Sequence, residues 1–190
     1  MDSITEYIDT RLSEKRKIHT YGVMEEAVIL AKLYGVNEES AKIAALLHDT
    51  AKNIKGDELK QCISELGLDE RYSTNPNLAH SKIAAERIQT DLKINDEDII
   101  NAVKYHTTGR VNMSDLEKII YIADMIEPSR DYPGVDELRR ISRIDLDKAC
   151  LLSMKSSLEH VESMGEYLDK DTIDAIEWLE SIRFWREMDG

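Results

Sequence analysis

His48 and Asp49 stand side by side inside an apolar run, Lys42-Ile43-Ala44-Ala45-Leu46-Leu47-His48-Asp49-Thr50-Ala51-Lys52. Such a run predicts a buried helix. A carboxylate buried there costs several kcal/mol, comparable with the whole margin of a domain, unless a cation or strong hydrogen bonds compensate it. Whatever the chain folds into must supply that compensation. His19, His80, His106 and Asp124 fall on comparable apolar helix faces, and of the five histidines only His160 lies outside the set. A buried metal site is the simplest physical account.

The donors are imidazole and carboxylate without thiolate. That set suits Fe, Mn, Co, Ni or Zn and argues against a structural zinc-thiolate site. Neighbours on a helix diverge by about 100°, yet His48 and Asp49 can point to one side at a helix end, where the aspartate can bridge two ions. Lys52, one turn after His48, is placed to reach a phosphate oxygen or a metal-bound water. Each residue alone has an ordinary structural explanation, such as a hydrogen-bonded core histidine or a buried partner for an arginine. Their joint placement on successive helices is what points to a site.

Helical periodicity runs through the sequence, and no window alternates as strands and hairpins do. Helices are expected at about 4–12, 15–34, then from an Asn37 cap through His48 and Asp49, and at 57–66, where Gly67 stops it. Residues 69–77, with Pro76, read as a loop, followed by a helix from about Leu78. Asn95 and Asp98 resemble a capping pair for 96–106, and Ser114 caps 115–126. A loop at 127–134 precedes two last helices, about 145–164 and 172–186. The expectation is an all-α chain forming one domain over 1–190, with a metal core at about 15–130 and C-terminal helices at about 140–188 packed on it. Trp178, Leu179, Phe184 and Trp185 suit either core or a homodimer surface.

A net charge of −13 in 190 residues argues against wrapping DNA or RNA, whose phosphates need a basic surface. A small phosphorylated ligand is still admissible, because a metal ion and a few local cations outweigh distant acidic surface. The first six residues lack the basic and apolar stretches of a signal peptide. Apolar runs are too short to span a bilayer. Cys62 and Cys150 are isolated and read as reduced thiols of a cytoplasmic protein.

The ordered set His19, His48-Asp49, Asp124 resembles the HD-domain metal-dependent phosphohydrolase superfamily. Four longer segments narrow the resemblance: Arg16-Lys17-Ile18-His19-Thr20-Tyr21-Gly22-Val23, Leu46-Leu47-His48-Asp49-Thr50-Ala51-Lys52, Tyr105-His106-Thr107-Thr108-Gly109-Arg110, and Ile122-Ala123-Asp124-Met125-Ile126-Glu127-Pro128-Ser129-Arg130-Asp131. Together they are similar to the YqeK-type symmetrical bis(5'-nucleosyl)-tetraphosphatases, over nearly the whole chain. The resemblance implies an HD-domain helical bundle, cleavage of diadenosine tetraphosphate to two ADP, and iron as the usual metal. It implies His19, His48, Asp49 and Asp124 as ligands, with His80 and His106 binding a second ion or the substrate phosphates. Arg16 and Arg130 match positions expected to touch the nucleotide, and Thr107, Thr108 and Arg110 would wall the phosphate pocket. One segment departs: the family tends to show a His-Pro pair before its last helix, where this chain has Leu168-Asp169-Lys170-Asp171-Thr172. Thr172 in that loop stays a candidate contact to the base or ribose.

The chemistry so implied is metal-assisted phosphoanhydride hydrolysis. A bound ion lowers the pKa of water from about 15.7 toward neutrality, and Asp49, Lys52, His80 and His106 form the candidate catalytic set around it. Three rivals remain open on sequence: an HD-type phosphohydrolase of another nucleotide, a di-iron oxygenase, and a non-catalytic metal or nucleotide sensor. The cations Arg16, Lys52, Arg110 and Arg130 favour a phosphate substrate over dioxygen chemistry.

Overall fold

The computed structural model describes residues 2–188, with side chains from 3 to 182. Among them the secondary structure is helical, without strands. The order is α1 (Asp2–Arg11), α2 (Glu14–Tyr34), α3 (Glu38–Leu47), α4 (Gly56–Glu65), a 3-10 turn (Glu70–Thr74), α5 (Pro76–Leu92), α6 (Glu97–Tyr105), α7 (Asp115–Ile126), α8 (Val135–Ser142), α9 (Leu146–Ser163) and α10 (Lys170–Met188).

Local chemistry sets most boundaries. The Ser13 side chain accepts from Arg16 N–H at the start of α2, and Gly35 ends it in the left-handed region at φ 70°. Asn37 caps α3 and Ser114 caps α7 as the sequence predicts. Four expectations need correction. The helix carrying the apolar run stops at Leu47, so His48 and Asp49 lie just beyond it in a turn. There Thr50 donates both its N–H (3.3 Å) and its hydroxyl (2.8 Å) to Leu47 O, competing with helix continuation. Pro76 is the first residue of α5 and not part of a loop, because a first-turn residue needs no N–H. Asp96, not the Asn95–Asp98 pair, caps α6 by accepting from the N–H groups of Asp98 and Ile99. Finally, α8 fills the stretch read as leading directly to the helix at 145. Its Val135, Leu138 and Ile141 repeat at the helical spacing.

α2 packs on α3 and α7, α6 on α5 and α7, and α9 joins α7, α8 and α10. One cluster of buried side chains runs from Ile4 in α1 to Leu179 in α10. Leu179 is fully buried and Trp178 packs against the same cluster, so both belong to the core. Phe184 and Trp185 lie outside the described side chains. The central α7 buries nine of its twelve residues, which brings Asp124, in its last turn, against α2 and the end of α3.

Candidate metal centre and its cavity

Two of the histidines sit at helix ends, and the backbone there decides their tautomers. His48 closes α3 and donates from Nδ1 to Ala45 O at 2.6 Å. His106 closes α6 and donates from Nδ1 to Val103 O at 2.7 Å. A carbonyl accepts and cannot donate, so each ring turns the lone pair of Nε2 inward. Burial pushes His48 down to about 4, keeping it neutral at physiological pH.

Around these rings all six sequence-selected donors converge. His80 Nε2 lies 3.1 Å from Asp49 Oδ1 and 3.1 Å from His106 Nε2. His19 Nε2 lies 3.1 Å from Asp124 Oδ1 and 3.8 Å from Asp49 Oδ2. His48 Nε2 is 3.6 Å from Asp49 Oδ2. His19, His48 and Asp124 have ligand atoms within 4.8 Å of one another, and so do His48, Asp49 and His106. His48 thus sits at the junction of the two donor groups, with Asp49 beside it. The Nε2 atoms of His19 and His48 are buried without a hydrogen-bond partner. Orphaned imidazole nitrogens aimed at carboxylates fit a divalent cation far better than they fit a packed core. Burial would raise the carboxyl of Asp49, but His48, His106 and His80 hold it well below the carboxylate range.

Cations flank the carboxylates. Arg16 donates to Asp49 Oδ2 at 2.8 Å, and Arg130 reaches Asp124 Oδ1 at 2.5 Å while its Nε donates to Asp124 O. Lys52 Nζ is 3.4 Å from His80 Nε2. Its pKa is lowered by burial, against the pull of Asp49 and Asp124.

The cluster opens through His106 and Asp124 onto a cavity of about 810 Å³. Its walls are the end of the 3-10 turn and start of α5 (Thr74 to Leu78), one face of α9, and the 166–169 connection. Leu78, Met125, Leu158, Val161, Met164 and Leu168 make much of the lining apolar, with Asn75, Asn77, Thr107 and Thr172 as polar points. Apolar walls with sparse hydrogen-bonding groups suit a flat heterocycle.

The HD domain family matches residues 16–129, a span that holds all six donors and Arg16. This chain belongs to the HD-domain family. It is 39% identical over 175 residues to a Bacillus subtilis protein named bis(5'-nucleosyl)-tetraphosphatase, symmetrical, covering 92% of this chain and 94% of that one. A Halalkalibacterium halodurans protein of the same name is 38% identical over 167 residues, covering 87% and 89%. A solved structure from Clostridium acetobutylicum, described as a predicted HD superfamily hydrolase involved in NAD metabolism, superposes with a TM-score of 0.90 at 43% identity, covering 95% of this chain and 96% of that one.

In this HD protein the histidine and aspartate groups could hold a metal ion. Not every polar residue read from the sequence joins them. Thr107 and Thr172 line the cavity. Thr108 is buried and spends its hydroxyl on Gly109 O at 2.9 Å. Gly109, at φ 67°, then turns the chain away. Arg110 is clamped by Glu117 through two bonds of 2.7 and 2.5 Å, and neither Thr108 nor Arg110 lines the cavity. Both are therefore withdrawn from the pocket wall: Thr108 is turned to the backbone, and Arg110 is drawn by Glu117 to a place outside the cavity lining.

Conversely, His160, set aside from the constellation on sequence, faces the cavity from α9 together with Val161 and Met164. Its spacing with 157 and 164 carries the helical signal, but only the packing of α9 shows which face meets the site. Glu127 also escaped the sequence reading, although its carboxylate lies 3.0 Å from His19 Nδ1.

Proposed function

We propose that this HD protein is a metal-dependent hydrolase that cleaves diadenosine tetraphosphate symmetrically into two ADP, with iron as the ion and the cytoplasm as its place of work. What carries the reading is the junction of a buried four-histidine, two-aspartate cluster with a cavity large and apolar enough for a nucleoside, through His106 and Asp124. Named relatives at 38–39% identity over most of the chain support the substrate. The histidine and carboxylate donors are compatible with iron.

In this reading His19, His48, Asp49 and Asp124 hold the metal, and His80 and His106 hold a second ion or the phosphates. Bound there, a divalent ion lowers the pKa of a coordinated water and polarises phosphoryl oxygens. Asp49 accepts the proton of the attacking water. His80 and Lys52, both beside Asp49, face charge that builds on the phosphoryl oxygens. One nucleoside occupies the cavity between α9 and the start of α5, against Thr107, Thr172 and His160. Arg16 and Arg130, both partly exposed, receive the phosphates and the outer half. A phosphate chain anchored on either side of the cluster presents its central bridge to it, which fixes where the cut falls.

The test is hydrolysis of diadenosine tetraphosphate in ¹⁸O-labelled water by the iron-loaded protein. ADP as the only nucleotide product, with label in half of it, is expected. ATP plus AMP would refute symmetrical attack. Dioxygen consumption would favour an oxygenase, and absence of turnover with Fe, Mn, Co, Ni and Zn a sensor.

A further inference from the structure

His19 differs from the other ring donors in how it is held. His48 and His106 end their helices and bond their Nδ1 to a carbonyl three residues back. His19 lies inside α2, where the helix's own hydrogen bonds engage the neighbouring carbonyls. Its Nδ1 needs a partner from another element, and that partner is Glu127, just past the end of α7.

The carboxylate of Glu127 is itself locked. One oxygen, Oε2, accepts Ser129 N–H at 2.7 Å. The other, Oε1, accepts the Ser129 hydroxyl at 2.5 Å and His19 Nδ1–H at 3.0 Å. The Glu127 residue is 2% exposed. Gly22, three residues after His19 on α2, leaves the space: a Cβ there would lie 2.8 Å from Glu127 Oε2 and 3.4 Å from Pro128 Cδ. A glycine inside a 21-residue helix is a local weakness of about 1 kcal/mol, and here close approach of the carboxylate accounts for it.

We propose that Glu127, seated by Ser129 and admitted by Gly22, is a positioning residue that fixes the tautomer and ring orientation of His19, so that its Nε2 lone pair faces the metal between Asp124 and Asp49. The inference rests on His19 being a ligand. It goes beyond that reading by assigning the residue that makes it one. A carboxylate bonded to a ligand histidine also raises the ring's basicity, and loss of such a partner typically weakens metal binding 10- to 100-fold.

Glu127→Gln gives a sharp expectation. Ser129 N–H can only donate, so it draws the amide oxygen to the Oε2 position. The amide NH₂ then faces His19 Nδ1 as a donor, forcing the ring proton onto Nε2, where it blocks the metal. The experiment is a zinc titration against a competing chelator, with ¹⁵N-histidine NMR of the zinc-loaded protein, on the full chain. His19→Ala, Glu127→Gln, Gly22→Ala and Ser129→Ala are compared with wild type. Glu127→Gln and Gly22→Ala should bind zinc 10- to 100-fold more weakly and lose the Nδ1–H signature of His19, while melting in EDTA stays near wild type.

Wild-type affinity with an unchanged His19 signal in Glu127→Gln would overturn the proposal. If His19→Ala keeps full zinc affinity, the ligand reading itself fails, which is a separate outcome. If Glu127→Gln does not fold, Ser129→Ala decides. A few-fold loss of affinity with a shifted His19 signal supports the proposal, and wild-type behaviour overturns it.

Discussion

His48 belongs to both donor groups, and Asp49 shares the second with His48 and His106 while lying 3.8 Å from His19 Nε2. His48→Ala and Asp49→Ala should each remove most bound metal and nearly all hydrolysis, as read by elemental analysis and ADP release. Lys60→Ala, on an exposed face of α4, should change neither. His160 requires a different expectation from the one its sequence position suggests. Because it lines the cavity, His160→Ala should leave metal content intact and raise KM several-fold, as steady-state kinetics would show. Unchanged KM would move the nucleoside out of this cavity. The buried rings also leave a pH signature. His48 and His80 are both pushed down to about 4 by burial from an ordinary 6.5. Between those values the unfolded chain binds more protons than the folded one. The stability these two rings contribute to the metal-free protein is therefore complete above about pH 6.5 and falls as pH drops toward 4. Melting in EDTA across that window should show the decline, with a shallower slope in His48→Gln.

At the scale of elements, the cavity depends on a tie between the 3-10 turn, α5 and the start of α10. Arg71 reaches Asp171 at 3.5 Å and Asp169 at 3.9 Å, and Lys82 reaches Asp171 at 3.3 Å. Asp169 also accepts Asp171 N–H at 2.9 Å, helping to start α10. Burial pushes Lys82 down to about 8 despite the Asp171 charge. Through Asp169 and Asp171 this tie holds the connection before α10 against the 3-10 turn and α5. Arg71→Ala should leave the buried Asp169 short of a cation and destabilise the fold by about 1–3 kcal/mol. It should also raise KM, since Thr74, Asn75, Leu168 and Thr172 line the cavity on either side of the tie. Thermal unfolding and kinetics on one preparation would read both effects.

Across the whole molecule, the donors come from α2, the ends of α3 and α6, α5 and α7, and the His19, His48 and Asp124 group alone would tie α2, α3 and α7 to one ion. Binding restricted to the folded state stabilises by mass action. At a thousandfold excess over Kd that is about 4 kcal/mol, or roughly 8–16 °C in Tm for a chain of this size. Adding zinc to EDTA-treated, dialysed protein should give a shift of that order, and His48→Ala should give almost none. The same convergence separates what could be read from the chain from what could not. Helical period, the caps at Asn37 and Ser114, and the six donors were legible because each is a local pattern of residue type and spacing. The break after Leu47 was not, because Thr50's competition for a carbonyl depends on a turn that packing stabilises. Nor was α8, whose eight residues hold three buried apolar positions between loops. Arg110 and Arg130 look alike as loop cations after a donor, yet one is bound to Glu117 and the other to Asp124. Charge and spacing along a chain specify which groups can bind; the path of each short loop decides which carboxylate captures its guanidinium, seven residues away for Arg110 and six for Arg130. His160 entered the cavity, and Glu127 reached His19 past Gly22, by contacts between segments far apart in the chain. Sequence alone therefore determined the fold class and the donor inventory, because those follow from local periodicity and side-chain chemistry. Tertiary structure decided the tautomer of His19, the meeting of the donors and the shape of the pocket, because these depend on atoms brought together from far apart in the chain.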